Sequence, residues 1–307
     1  FNIKSLEWDD DILGDLNVPK KMLPTVKECA DDFGEMESQI LGSPIPIKGV
    51  AGDQQAATIG QACFQKGMIK STYGTGCFAL LNTGDQFVLS KNKLLSTIAY
   101  KINGKICYAL EGSIFIAGAV VQWLRDSINI IDKADQVGHL ASKAKDQDIY
   151  FVPAFTGLGA PYWDSDARGA IFGLLRDTGR EEIALAALES IGFQTRDLLE
   201  AMIKDVEGMK RDHVKLRVDG GMTQSSLTMK IVANLTGVEI NIPTIQESTA
   251  KGVAWLAGMR AGLYNQLEVF EKEWALKETF SPLISANERD KKYKGWKEAV
   301  GKTGTST

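Results

Sequence analysis

Gly52-Asp53-Gln54-Gln55-Ala56-Ala57 follows a short apolar run, Ile45 to Val50, and opens a stretch with the composition of a helix. A strand, then an acid, then a helix is the order in which α/β sheets present side chains to a ligand crevice, at the carboxyl ends of their strands. An Asp at such a point can accept a proton from a hydroxyl, and a neighbouring Gln can hold a second hydroxyl through its carbonyl oxygen or its amide. Asp is also a preferred helix N-cap, so the run alone marks a helix start as readily as a catalytic group. Gln55 is expected to face elsewhere on the helix.

Two further segments change that balance. In Ser71-Thr72-Tyr73-Gly74-Thr75-Gly76-Cys77-Phe78, two glycines flank a threonine between runs that read as strands. Glycine lets the backbone approach a bulky anion, and Thr75 adds a hydroxyl donor, although Gly-Thr-Gly by itself is an ordinary turn. Leu216-Arg217-Val218-Asp219-Gly220-Gly221 ends an apolar strand in a tight turn and leads into a helix from about Gln224. Acid, glycine-threonine hairpin, then strand-Asp-Gly-Gly-helix resembles the order of nucleotide sites in actin-like ATPase domains. The fold class expected is therefore α/β, an actin-like (ribonuclease H-like) ATPase domain with a mixed sheet flanked by helices.

The rest of the pattern agrees. Strand-like runs are expected at Ile69 to Asn82 and Leu95 to Leu110, the latter broken by an Asn103-Gly104 hairpin turn. Further strands are expected at Ile149 to Pro153, Ala170 to Leu174, Val214 to Val218 and Val238 to Ile242. Helices are expected at Asp53 to about Gln65, Ile114 to Ile131, Ala134 to Lys145, Glu181 to Val206, Gln224 to Leu235 and Ser248 to Ala261, with closing helices to about Val300. Ala184, Leu188, Ile191, Leu198 and Met202 recur at helical spacing and predict a core helix. Gly252, Ala257 and Gly258 predict close helix packing.

With 35 basic and 39 acidic residues in 307, the net charge is -4, which gives no electrostatic case for nucleic acid or an anionic membrane surface. No apolar run has the length of a membrane span. Cys29, Cys63, Cys77 and Cys107 are scattered without metal-ligand spacing and are expected to be free thiols, mostly buried, in a reducing compartment. His139 and His213 fall in no motif and read as surface residues. Trp163 is read either as a loop anchor or as a lid over a ligand.

Asp53 with its flanks, Tyr73 to Phe78, Leu110-Glu111-Gly112, the run Val152 to Asp164 and Arg217 to Gly221 together resemble the glycerol kinases of the FGGY family of carbohydrate kinases. The segment from Gly169 through Gly173 and Leu174 to Glu182, Ile183 and Glu189 resembles a signature of that family. The resemblance runs from Phe1 to about Val300 and implies ATP-dependent phosphorylation of glycerol to glycerol 3-phosphate in the cytoplasm, with Mg2+ accompanying the nucleotide. It implies Asp53 as the catalytic carboxylate and Gln54 as a glycerol ligand. It implies Gly74, Thr75 and Gly76 as a phosphate loop, Gly118 and Gln122 as nucleotide contacts, and Gly220 and Gly221 beside the adenosine. Ser225 stands where the family often has Asn, and its shorter reach leaves the adenine contact open. No protein metal ligand is implied.

The same resemblance implies an organisation. Residues 1–45 are expected to be the tail of a first kinase domain, 46–300 the carboxyl-terminal nucleotide-binding domain, and 301–307 a disordered tail. No Asp-x-Gly-Thr-Thr run and no Arg-Glu pair of the glycerol-clamping kind is present, so the expected partner is an amino-terminal domain missing from the chain, and the chain alone is expected not to turn over. A homo-oligomer is compatible with the resemblance. Ile40-Leu41-Gly42-Ser43-Pro44 lacks the Gly-Gly-Thr-Arg character with which some relatives bind a sugar bisphosphate. The alternatives are a nucleotide-binding module without turnover, or a related kinase of a ketopentose or gluconate.

Overall fold

The computed structural model describes residues 1–264 and 267–305. Among these, the main sheet has seven strands: β1 (Met68–Tyr73), β2 (Cys77–Gly84), β3 (Leu95–Ile102), β4 (Lys105–Ile114), β5 (Lys215–Asp219), β6 (Ile240–Pro243) and β7 (Leu276–Phe280). Their spatial order is β7-β6-β5-β1-β2-β4-β3. The half built from β1 to β4 is antiparallel, β5 and β6 join it in parallel, and β7 closes the far edge antiparallel. This is the mixed α/β sheet of an actin-like ATPase fold. Asn103 and Gly104, at φ 52° and 75°, supply the left-handed pair that a two-residue hairpin turn requires.

The helices that position the site are α1 (Asp53–Gly60), α2 (Gly118–Asp126), α3 (Arg180–Asp205), α4 (Ser226–Thr236), α5 (Ser248–Arg260) and α6 (Ala286–Thr303). Because side chains alternate across a strand, the sheet feeds two cores. Ile69, Tyr73, Ala79 and Leu81 join the larger one with α3, while Leu80 joins Ile59 of α1 and Trp255 of α5 on the opposite face. All five residues of the expected α3 stripe are buried. Tyr73 and Thr195 tie β1 to α3 through a 2.9 Å hydroxyl pair. Tyr293 and Trp296 of α6 donate to the buried Asp197 of α3 at 2.6 and 2.8 Å.

On the other face α1 and α5 cross with their backbones touching. A Cβ on Gly252 would lie 1.9 Å from the Ala56 carbonyl oxygen, and one on Gly60 would lie 1.9 Å from that of Ser248. Ala257 meets Gly49 in the same way, whereas Gly258 makes room for the ring of Tyr264.

Several expectations need correction. Ile45 to Val50 is not a strand of the main sheet. Only Ile45–Pro46 is extended, pairing with Glu35–Met36 in a separate two-stranded ribbon, because Pro44 and Pro46 lack the N–H groups a ladder needs. Helix α1 stops at Gly60, since Ala62 turns left-handed at φ 50° and Arg217 donates to the carbonyls of Gln61 and Ala62. Helix α2 begins at Gly118 because β4 continues to Ile114. Leu276–Phe280, read as helical, is the edge strand β7; only Phe280 is buried there, so the period-two signal is lost. The expected disordered tail is ordered as far as it is described: α6 runs to Thr303 and Thr305 binds Asp164, while Ser306 and Thr307 lie outside the described residues.

Candidate active site

A cavity of about 630 Å³ opens where the β1-β2 hairpin meets the starts of α2 and α4, a volume suited to a small-molecule ligand. Gly74, Thr75, Gly118, Gln122, Gly221 and Ser225, six of the eight residues expected at a nucleotide, line it together. The hairpin is clamped to the first turn of α2. Gly118 N–H donates to the Gly74 carbonyl at 2.9 Å, and Ala117 and Ala119 N–H donate to that of Thr75 at 2.9 and 3.0 Å. Gly118 must be glycine, since a Cβ there would lie 2.5 Å from the Gly74 oxygen. At Gly221 a Cβ would meet nothing within 4 Å, so the backbone presents an open face to the cavity.

Gly76 and Gly220, also expected at the nucleotide, do not line the cavity. A Cβ on Gly76 would strike the Ile114 carbonyl at 2.5 Å, and Gly220, at φ 93°, packs against the backbone of Tyr73. They shape the two loops from behind. Ser225 N-caps α4: its oxygen accepts from Thr228 N–H at 3.3 Å and from the Thr228 hydroxyl at 2.8 Å. With its lone pairs engaged, its hydroxyl is left to act towards the cavity as a donor. Arg125, Asp135 and Met222 also line the cavity and carry no sequence signal.

Asp53 is the exposed first residue of α1, with Gln54 N–H bound to its Oδ1 at 2.8 Å and Gln54 Nε2 3.4 Å from its Oδ2. Gln54 Oε1 accepts from Lys70 Nζ, which also lies 3.4 Å from the Phe78 carbonyl. Gln55 makes no such contact and folds over Gly52. Strand β1 therefore joins the two halves of the site. Lys70 holds the Gln54 end, and four residues on, roughly 13 Å along an extended strand, Gly74 enters the cavity wall.

The strand register gathers a further set of side chains between them. Lys70 pairs with Arg217 and Leu80, Leu80 with Glu111, and Thr72 with Asp219 and Phe78, so these side chains share one face of the sheet. Asp219 is 3% exposed and accepts from Gln61 Nε2 at 2.9 Å. Burial pulls the Lys70 pKa down, with the carboxylate of Asp219 opposing it, and burial likewise pushes Glu111 up. Thr72 Oγ1 is buried with no hydrogen-bond partner. Lys70 and Thr72 are not singled out by the glycine motifs; a lysine alternating with the apolar Ile69 in the strand Met68–Tyr73 was the available signal.

The remaining candidates are structural. Trp163 donates to the Lys93 carbonyl at 2.6 Å, which makes it a loop anchor. His139 and His213 are exposed. All four cysteines are free, and burial pushes the thiols of Cys63 and Cys77 up to about 12, so both are inert. Among the described residues no group of three or more His, Cys, Asp or Glu forms a metal cage, and no helix is long and apolar enough to cross a membrane.

Residues 69–261 match the C-terminal domain of the FGGY family of carbohydrate kinases and residues 1–60 match its N-terminal domain. The amino-terminal match extends past residue 45 and takes in α1 with Asp53 and Gln54, so the expectation that the amino-terminal domain is missing but for a tail of residues 1–45 is not borne out. Glycerol kinase of Rhizobium rhizogenes is 59% identical over 99% of the chain and 61% of its own length. That of a Chelativorans species is 56% identical over the whole chain and 61% of its own length. The chain thus spans about three-fifths of the length of the curated relatives it matches. A crystal structure of Plasmodium falciparum glycerol kinase with ADP superposes with a TM-score of 0.91 at 35% identity, over all of this chain and 62% of that one. A gluconate kinase from Lactobacillus acidophilus, at 23% identity and a TM-score of 0.86 over 99% of this chain and 62% of its own, shares the fold.

Proposed function

Because the chain belongs to the FGGY family of carbohydrate kinases, we propose that the protein transfers the γ-phosphoryl group of ATP to glycerol, giving glycerol 3-phosphate and ADP. The observation that carries this reading is one strand, β1, linking the Asp53–Gln54 pair to a cavity of about 630 Å³. The cavity takes the nucleotide, with Gly221 and Ser225 towards the adenosine and Thr75 offering its hydroxyl to the phosphates. Gln54 and Asp53 hold the polyol. Phosphoryl transfer passes through a loose transition state, so Asp53 contributes chiefly by orienting the attacking hydroxyl and accepts its proton as the new P–O bond forms.

Mg2+ would arrive on the nucleotide phosphates, where it would neutralise their charge and keep most of its waters. We place the reaction in the cytoplasm, where ATP is available and four free thiols persist.

The test is ADP release by the protein as its gene encodes it, offered glycerol, xylulose or gluconate at equal concentration. Glycerol is expected to be preferred by at least tenfold in kcat/KM. A preference for either sugar substrate would favour the ketose or gluconate kinases that share the fold, and nucleotide binding without turnover on any of the three would leave a binding module.

A further inference from the structure

Lys70 is fully buried in the middle of β1, yet it forms no salt bridge among the described residues; its Nζ meets only the Gln54 side-chain oxygen and, at 3.4 Å, the Phe78 carbonyl. A buried ammonium without a counter-ion in contact is costly, and an apolar side chain of similar length would pack there at less cost. A feature that opposes stability in this way belongs to function more often than to the scaffold.

Its chemistry restricts what it can do to Gln54. An ammonium carries three donors and no acceptor, so the amide atom facing it must be the oxygen. That removes the twofold ambiguity of the Gln54 amide. The Nε2 group is turned to the other side, 3.4 Å from Asp53 Oδ2. Gln54 alone leaves open whether a substrate hydroxyl is met by a carbonyl oxygen or by an amide N–H. With Lys70 in place only the N–H is on offer.

We propose that Lys70 is a positioning residue: it locks Gln54 with its amide NH2 towards the polyol, so that one substrate hydroxyl binds as a hydrogen-bond acceptor while its neighbour gives its proton to Asp53. The assignment rests on the kinase reading above. It makes the site selective for a vicinal diol whose two oxygens play opposite hydrogen-bonding roles.

The experiment compares Lys70→Met and Lys70→Gln with wild type in the protein as its gene encodes it. Lys70→Met should raise the KM for glycerol tenfold or more and leave that for ATP within twofold. Lys70→Gln can still donate to Gln54 Oε1 and should recover the glycerol KM to within threefold of wild type. Adding Gln54→Ala to Lys70→Met should cost no more than Gln54→Ala alone. An unchanged glycerol KM in Lys70→Met, multiplying effects of the two substitutions, or a lower melting temperature with both KM values raised together would overturn the proposal. The side-chain amide signals of Gln54 in a selectively 15N-labelled sample read the lock without turnover: one sharp pair in wild type, shifted or broadened in Lys70→Met. Sharp, unshifted signals in the variant refute the lock itself, whereas a wild type that shows the lock but releases no ADP with glycerol refutes the kinase reading and the diol assignment with it.

Discussion

Gly252→Ala adds a single methyl group where α5 crosses α1. Its Cβ would stand 1.9 Å from the Ala56 carbonyl oxygen and 2.8 Å from the Gly60 nitrogen, both of them backbone atoms that cannot rotate away. Reaching ordinary contact, which begins at 3.4 Å, requires the helices to part by about 1.5 Å. Overpacking of this kind costs about 1–3 kcal/mol, and the rigidity of a backbone partner puts it at the upper end. Alanine returns about 1 kcal/mol of helix propensity over glycine. The net loss of about 2 kcal/mol corresponds to a fall in melting temperature of roughly 3 °C for a chain of this size. The displacement is also carried to the first turn of α1, which holds Asp53 and Gln54, and a misplacement of about 1 Å costs on the order of 10² in rate. Circular-dichroism melting and coupled ADP release measure the two effects. Gly221→Ala, where a Cβ meets nothing within 4 Å, is the control for stability and should not lower the melting temperature. If Gly252→Ala keeps kcat/KM within threefold and melts within 1 °C of wild type, the helix crossing does not govern the position of the acid.

Asp53→Asn keeps shape and most hydrogen bonds but removes the proton acceptor, and should lower kcat by roughly 10² with nucleotide affinity unchanged; turnover within threefold of wild type, measured by ADP release, would remove Asp53 from catalysis. Gly221→Val should fill the open face of the cavity and raise the KM for ATP without lowering the melting temperature, and Thr75→Ala should cost about 1 kcal/mol of nucleotide binding in calorimetry with ADP. Equal weakening of glycerol and nucleotide in either variant would assign these positions to the scaffold. The hydroxyl and N–H of Thr305, with the N–H groups of Ala167 and Asp166, hold the Asp164 carboxyl down to about 2. Because its folded value is depressed, the stability it contributes is complete above the unfolded value of about 3.9 and is lost as the pH falls through about 2. The gap in urea midpoint between wild type and Asp164→Asn should therefore persist from neutral pH to about 4 and close below it; a gap that does not narrow in acid would dissociate Asp164 from the loop's acid sensitivity.

Much of the candidate site's inventory was legible because its signals are local. Gly74-Thr75-Gly76 and Gly220-Gly221 announce turns whatever surrounds them, and Asp53 announces a helix start. The roles within each motif were not legible. Gly74 and Gly221 face the cavity while Gly76 and Gly220 support it from behind, and only the backbones they meet, Ile114 and Tyr73, distinguish them. Lys70 was missed because a charged residue in a strand reads as solvent-facing unless the element that covers it is known. Here that element is α1, sixteen residues earlier by the Gln54 contact.

The sequence by itself determined the class of fold, since alternating strand and helix periods, hairpin turns and glycine loops follow from the steric preferences of neighbouring residues. Tertiary structure decided that Asp53 owes nothing to a preceding sheet strand: Ile45 and Pro46 pair elsewhere, and α1 is held instead by backbone contact with α5, two hundred residues further along. It also decided which end of the Gln54 amide faces Lys70. Both outcomes depend on contacts between segments remote in the chain, whose energies appear only once burial and register have brought the partners together.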